Sequence, residues 1–171
     1  MQRKIFALGV GCALVVGLLA QIVLPGWTRI ELTDGDTGRV IHVAVARDGE
    51  LLTLDWHNSL FDLDVTEEFV ADSGRIIQTS VTFADPRGVP PMLATPQDLD
   101  DLYHTGGPFV VRGLRKPFTQ IIYRIGEIGN PQMRIRDRVV DFKREVGFGG
   151  RIVLATRAPR AYEIVGQTRL P

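Results

Sequence analysis

The sequence predicts an all-β fold: a β-sandwich or open barrel, mostly antiparallel, with one short helix and an N-terminal transmembrane helix. Three observations carry that expectation. From Trp27 onward apolar and polar residues alternate in short runs, each closed by Gly, Asp or Pro. Such alternation marks strands with one buried and one wet face. One stretch, beginning near Thr95, switches to helical spacing. The run from Ile5 to Leu24 is apolar almost without interruption.

That leader is MQRK followed by IFALGVGCALVVGLLAQIVL, in which Gln21 is the strongly polar exception. Roughly twenty helical residues span about 30 Å, the thickness of a bilayer's hydrocarbon core. Arg3 and Lys4 place the amino end in the cytoplasm. Residues 1–26 therefore read as a membrane anchor or export signal, and 27–171 as a β domain outside the cytoplasm. A cleaved signal peptide would need small residues before the cut, and Leu18-Leu19-Ala20 supplies them poorly. A lipoprotein reading would use Cys12, but the apolar run before it is short. An uncleaved, single-pass inner-membrane anchor fits best. Gly9, Ala13 and Gly17 share one face of that helix, a spacing that lets a second membrane helix approach closely.

The strands follow in order. TRIELT leads into the turn DGDTG, and RVIHVAVAR ends at Asp48-Gly49. Then come LLTLDWHN, DVTEEFVAD and RIIQTSVTF, and after a break PFVVRGL, FTQIIYRI, QMRIRDRVVDF and GGRIVLATR, about nine candidates. The break, ADPRGVPPMLATPQDLDDLYHTGGPF, opens with a Pro/Gly loop. A helix follows: Thr95 can cap it, Pro96 suits its first turn, Leu99 with Leu102 or Tyr103 forms its apolar side, and Gly106-Gly107 stops it. This excursion reads either as a functional insertion or, the favoured reading, as the cap over an open barrel end.

Composition narrows the function classes. The chain has 171 residues, 44% hydrophobic and 23% charged, enough for one domain with its own core. Formal net charge is +0, and aromatics are sparse among the basic residues, which argues against nucleic acid. A single cysteine excludes an internal disulfide. Charge is nonetheless uneven. Asp55 to Asp101 holds ten acids against Arg75 and Arg87, whereas Arg112 to Arg160 holds twelve Lys or Arg against four acids. The two halves either neutralise each other across the sheets or present a basic face to an anion or lipid. Arg134, Arg136 and Arg138, on one face of a single expected strand, are the possible basic patch.

LDWHNSLFDLDVTEEF concentrates the polar chemistry. A nucleophilic reading pairs Ser59 with His57 and an acid, Asp55 or Glu67, but no nucleophile elbow or oxyanion loop accompanies them. A metal reading gathers His57, His104, Glu67 or Glu68 and His42, without paired-histidine spacing. Neither an enzymatic activity nor a cofactor is expected. The favoured reading is a hairpin. Leu52, Leu54 and Trp56 face the core, as do Val65, Glu67 and Phe69 on the returning strand, while Asn58, Ser59 and Asp62 bond turn amides. Glu67 is then an acid on the apolar side, to be satisfied by His57, Ser59 or an Arg from the basic half. His57, Ser59 and Glu67 form the expected polar anchor, structural or ligand-facing.

Trp56-His57 with Ser59, then Val65, Glu67 and Phe69, then Phe83 followed by the loop motif Gly88 and Pro90, resembles domain-of-unknown-function family 1850. That family's pattern is an aromatic-x-His-Ser hairpin, a Glu some eight residues on, then Phe-x-x-x-Gly-x-Gly-x-Pro. The likeness runs from Leu51 to RIVLATR. This chain inserts Asn58 between His57 and Ser59 and keeps only Gly88 and Pro90 of the glycine-rich motif. The resemblance implies a non-enzymatic accessory subunit of a tripartite ATP-independent periplasmic (TRAP) transporter of the TAXI class, beside its membrane subunit. The alternative is a periplasmic β-barrel protein that binds a small anion or lipid. On the transporter reading the chain co-purifies from detergent with a co-expressed TRAP permease; a chain that always runs alone would count against it.

Overall fold

The period-two runs form strands, and the punctuating residues turn the chain between them. The computed structural model describes residues 22–167. Asp34 closes the first turn, its Oδ1 accepting from the amides of Asp36 (2.9 Å) and Thr37 (3.2 Å). Asn58 does the same at the third, accepting from Leu60 (3.0 Å) and Phe61 (3.3 Å). The all-β expectation holds: the described residues form eleven strands and three short helices.

Two sheets result. The smaller contains β1 (Trp27–Asp34), β2 (Val40–Arg47), β8 (Gln120–Arg124) and β11 (Arg151–Arg157), in the order β2-β1-β11-β8. The larger has seven strands: β3 (Leu51–Asn58), β4 (Leu63–Asp72), β5 (Arg75–Ala84), β6 (Met92–Ala94), β7 (Phe109–Phe118), β9 (Gln132–Ile135) and β10 (Arg138–Asp141). Its order is β10-β9-β3-β4-β5-β7-β6, and β6 lies parallel to β7 while the other pairs are antiparallel.

The sheets share a core over only part of the larger one. Ile30, Leu32, Ala46, Ile152 and Leu154 of the small sheet meet Leu52, Leu54, Phe69, Ile76 and Met133 of the large sheet. The far half of the large sheet has a second cluster, with Leu63, Val65, Val81, Phe83, Phe109 and Val111. Helix α1 (Leu99–Thr105) covers it with Leu99, Leu102 and Tyr103. Phe83 is the hub: it stacks on Phe109 at 4.5 Å and takes Tyr103 and Trp56 edge-on at 5.4 and 6.1 Å. The excursion between β5 and β7 thus covers an otherwise uncovered sheet face, where the sequence suggested the cap of an open barrel end. Its helix is closed differently from the expected cap. Asp98 occupies the N-cap without a side-chain bond to the helix, and Thr95 donates to the Asp98 carboxylate through its amide (3.1 Å) and hydroxyl (2.7 Å). The helix stops at Gly106, where a β-carbon would stand 2.4 Å from the Phe61 ring.

Four expectations need correction. QMRIRDRVVDF is two strands, β9 and β10, because Arg136 takes a φ of +55° and turns the chain. Arg134, Arg136 and Arg138 therefore do not share one strand face. Arg134 lies on β9 opposite Val139, Arg136 is in the turn paired with Glu50 at 2.5 Å, and Arg138 opens β10. The loop after β5 contains a short strand, β6, that its prolines concealed. Two further helices exist, α2 (Phe142–Val146) and α3 (Ala161–Gln167). Finally, the apolar run does not continue as helix to Leu24. Val23 forms a β-bridge with Arg160, and the Leu24 amide donates to the Pro159 carbonyl at 3.0 Å. The rest of the expected anchor, with Gly9, Ala13 and Gly17, lies outside the described residues. Among the described residues no helix is long and apolar enough to cross a membrane. Nor does any ion pair among them join the acidic stretch Asp55–Asp101 to the basic stretch Arg112–Arg160.

Phe83→Ala empties the hub of the second cluster and is expected to cost about 3–5 kcal/mol. Leu93→Ala, at a side chain 73% exposed, is expected to stay within roughly 0.5 kcal/mol. Urea unfolding of the two variants measures both.

Candidate functional site

Strand β4 presents Leu63, Val65, Glu67, Phe69 and Ala71 to one side, and all but Glu67 are buried and apolar. Leu63 and Val65 belong to the second cluster, Phe69 and Ala71 to the first. Glu67 falls at the seam between them, directly opposite Leu54 on β3. The inward faces expected from sequence are thus correct, and the register sets Leu52 opposite Phe69 and Trp56 opposite Val65.

Glu67's partners are not those expected. Its Oε1 accepts from the Trp56 indole Nε1 at 3.1 Å, and its Oε2 from Gln78 Nε2 at 2.7 Å. Neither His57, Ser59 nor any arginine reaches it. Gln78, 4% exposed, owes its position to a bulge. Pairing of β4 with β5 slips by one residue between Glu68 and Phe69, leaving Thr79 without a partner. Gln78 before the bulge and Val81 after it can therefore both face inward. Burial raises the pKa of Glu67, opposed in part by the Trp56 hydrogen bond and the charge of Lys116.

A cleft of about 420 Å³ opens over Glu67 between the two sheets. Leu54 and Trp56 of β3 form one wall and Ile122 to Arg124 of β8 the other, while Gly126 to Pro131 and the β3–β4 turn frame the mouth. The framing loop is strapped to β3 by the His57 amide, which donates to the Gly129 carbonyl at 2.8 Å. Gly129 suits this approach, having a φ of +121° and leaving only 3.1 Å between a notional β-carbon and the His57 carbonyl. Tyr123 packs on Phe142 with ring centroids 5.4 Å apart. Its hydroxyl is the one buried side-chain polar atom without a hydrogen-bond partner among the described residues. Burial, then the neighbouring Glu67 charge, push the Tyr123 phenol well above its ordinary range.

His57 lies at the mouth between two carboxylates, with Nδ1 2.9 Å from Asp64 and Nε2 3.3 Å from Asp62. Ser59 lies beyond the end of β3, exposed in the turn, so it does not share a strand face with His57 as the nucleophilic pairing would require. The cleft thus collects His57, Ser59 and Glu67 along its lining without joining them into one hydrogen-bonded set. Gly88 and Pro90 are exposed in the β5–β6 loop and do not line it. His42 and His104 lie on β2 and α1, and no three metal-binding side chains cluster among the described residues. Sequence reading missed Gln78 and Tyr123. An inward polar residue midway along RIIQTSVTF was the available signal for Gln78; nothing in the alternation of FTQIIYRI set Tyr123 apart.

No family model, no curated protein and no solved structure matches this chain.

Because the folded state holds the Glu67 proton to higher pH than the unfolded state does, stability falls as pH rises from about 4 through the folded pKa. Glu67→Gln removes that titration. Its melting temperature is expected to exceed the parent's near pH 8 and to converge on it near about pH 4, with thermal unfolding across pH as the measurement. A difference constant across that range would refute the assignment.

Proposed function

We propose that this chain is a non-enzymatic binding module whose cleft receives one small organic ligand. The carrying observation is the cleft itself: about 420 Å³, walled largely by aliphatic and aromatic side chains and ending on a largely buried carboxyl group. Volumes of this order accommodate small molecules, which apolar walls hold and a few polar groups orient. The mouth supports the reading. Leu60, Ile128 and Ile122 line it while 80%, 64% and 55% exposed, an arrangement that leaves apolar surface for a ligand to cover.

Catalysis by the hairpin residues has no geometric support. Both ring nitrogens of His57 face carboxylates, Asp64 and Asp62, and not the Ser59 hydroxyl. The small-anion alternative also loses ground, since the cleft ends on a glutamate. The family resemblance adds a setting: an accessory subunit anchored beside a TRAP-type, TAXI-class permease, whose solute or regulator the cleft would meet outside the cytoplasm. That setting rests on the residues of β3 to β5 that carry the likeness.

Ile122→Trp narrows the mouth without touching the buried core. A thermal-shift screen of small amines, acids, alcohols and amides is expected to find compounds that raise the melting temperature of the parent. The variant should bind them roughly tenfold more weakly, about 1.4 kcal/mol. Failure of every class to shift the parent would refute a binding role.

A further inference from the structure

We propose that the cleft selects a monoamine, its ammonium lodged against Glu67 and its aliphatic or aromatic body packed on the walls. This names the ligand class for the binding reading above and rests on it. The charge arrangement points there first. Glu67 accepts hydrogen bonds from two neutral donors, Trp56 and Gln78, and belongs to none of the ion pairs among the described residues. Neutral donors satisfy lone pairs but do not cancel charge. An ionised carboxylate withdrawn from water without a counter-ion is costly. Lys116 acts on Glu67 only through its field and forms no ion pair with it, so a ligand cation placed in the cleft supplies the direct counter-ion.

The remaining lining agrees. Trp56 and Tyr123 bring aromatic rings to the same cleft, and ring faces attract a desolvated ammonium. The Tyr123 hydroxyl, buried and unpartnered, is a further acceptor close enough to feel the Glu67 charge. Ile122 and Ile128 offer apolar surface for the body of the molecule. Arg124 at the mouth is exposed and repels a second positive charge, which selects a monoamine over a diamine.

Binding is coupled to pH. The groups that face Glu67 are Lys116 from β7, whose charge stabilises the carboxylate, and the phenols of Tyr103 on α1 and Tyr123 on β8, both of which feel its charge. His57 and Arg124 also line the cleft. An ammonium pairs only with the ionised carboxylate, so affinity falls as pH drops through the Glu67 titration, and the bound amine shifts that titration downward.

The test uses the full chain in detergent with three probes of similar shape: 2-phenylethylammonium, 2-phenylethanol and 3-phenylpropionate. Affinity is read by calorimetry and by Trp56 fluorescence in a Trp27→Phe background. The amine is expected to bind roughly 10- to 100-fold tighter than the alcohol or the acid, and to lose that margin at low pH and in Glu67→Gln. Arg124→Glu, an exposed change that leaves the fold alone, is expected to raise affinity for 1,4-diaminobutane about tenfold. Equal binding of alcohol and amine, preference for the acid, or an unchanged amine affinity in Glu67→Gln would overturn the amine assignment while leaving the binding reading in place. No binding by any of the three probes at millimolar concentration would overturn both.

Discussion

A seven-stranded sheet presents more apolar surface than a four-stranded sheet can cover, and the rest of this structure answers that mismatch. On β4 the inward positions run Leu63, Val65, Glu67, Phe69, Ala71. The last two pack under the small sheet; the first two extend past it. Exposed, that far half would be an aggregation surface. The chain covers it with the excursion between β5 and β7, whose helix contributes Leu99, Leu102 and Tyr103. The long connection is therefore structural at its base.

Two covers laid on one sheet leave a seam, and polar side chains can be tolerated there because the apolar cover is incomplete. Glu67, Gln78 and Trp56 meet at that line. The bulge at Thr79 is what allows it: without the slip, Gln78 and Val81 would point to opposite faces. The edge strand β8 and the glycine-bearing loop after it roof the seam without filling it, and the space left is the cleft. The cleft and the gap in the apolar cover are the same place.

The hairpin was legible because its signals are local. Alternation placed Leu52, Leu54 and Trp56 on the inward face of one strand and Val65, Glu67 and Phe69 on the inward face of the next, and identified Glu67 as an acid on the apolar side. Asn58 as the turn residue was equally legible. The partners of Glu67 were not, because hydrogen bonding among inward side chains depends on neighbouring strands and on a bulge that alternation does not announce. The basic triplet failed for a related reason. Period two makes Arg134, Arg136 and Arg138 look like one strand face, but a positive φ at Arg136 turns the chain between them.

By itself, then, the sequence determined the strand-rich class, the capping helix near Leu99 and the inward placement of Glu67. Each follows from side-chain periodicity and turn chemistry within a few residues. Only the tertiary structure decided that the strands divide into sheets of four and seven, that the acid meets an indole and an amide instead of a histidine, and that space remains above it. Those outcomes depend on which strands pair across the chain and where covering elements stop, and local periodicity carries no information about either.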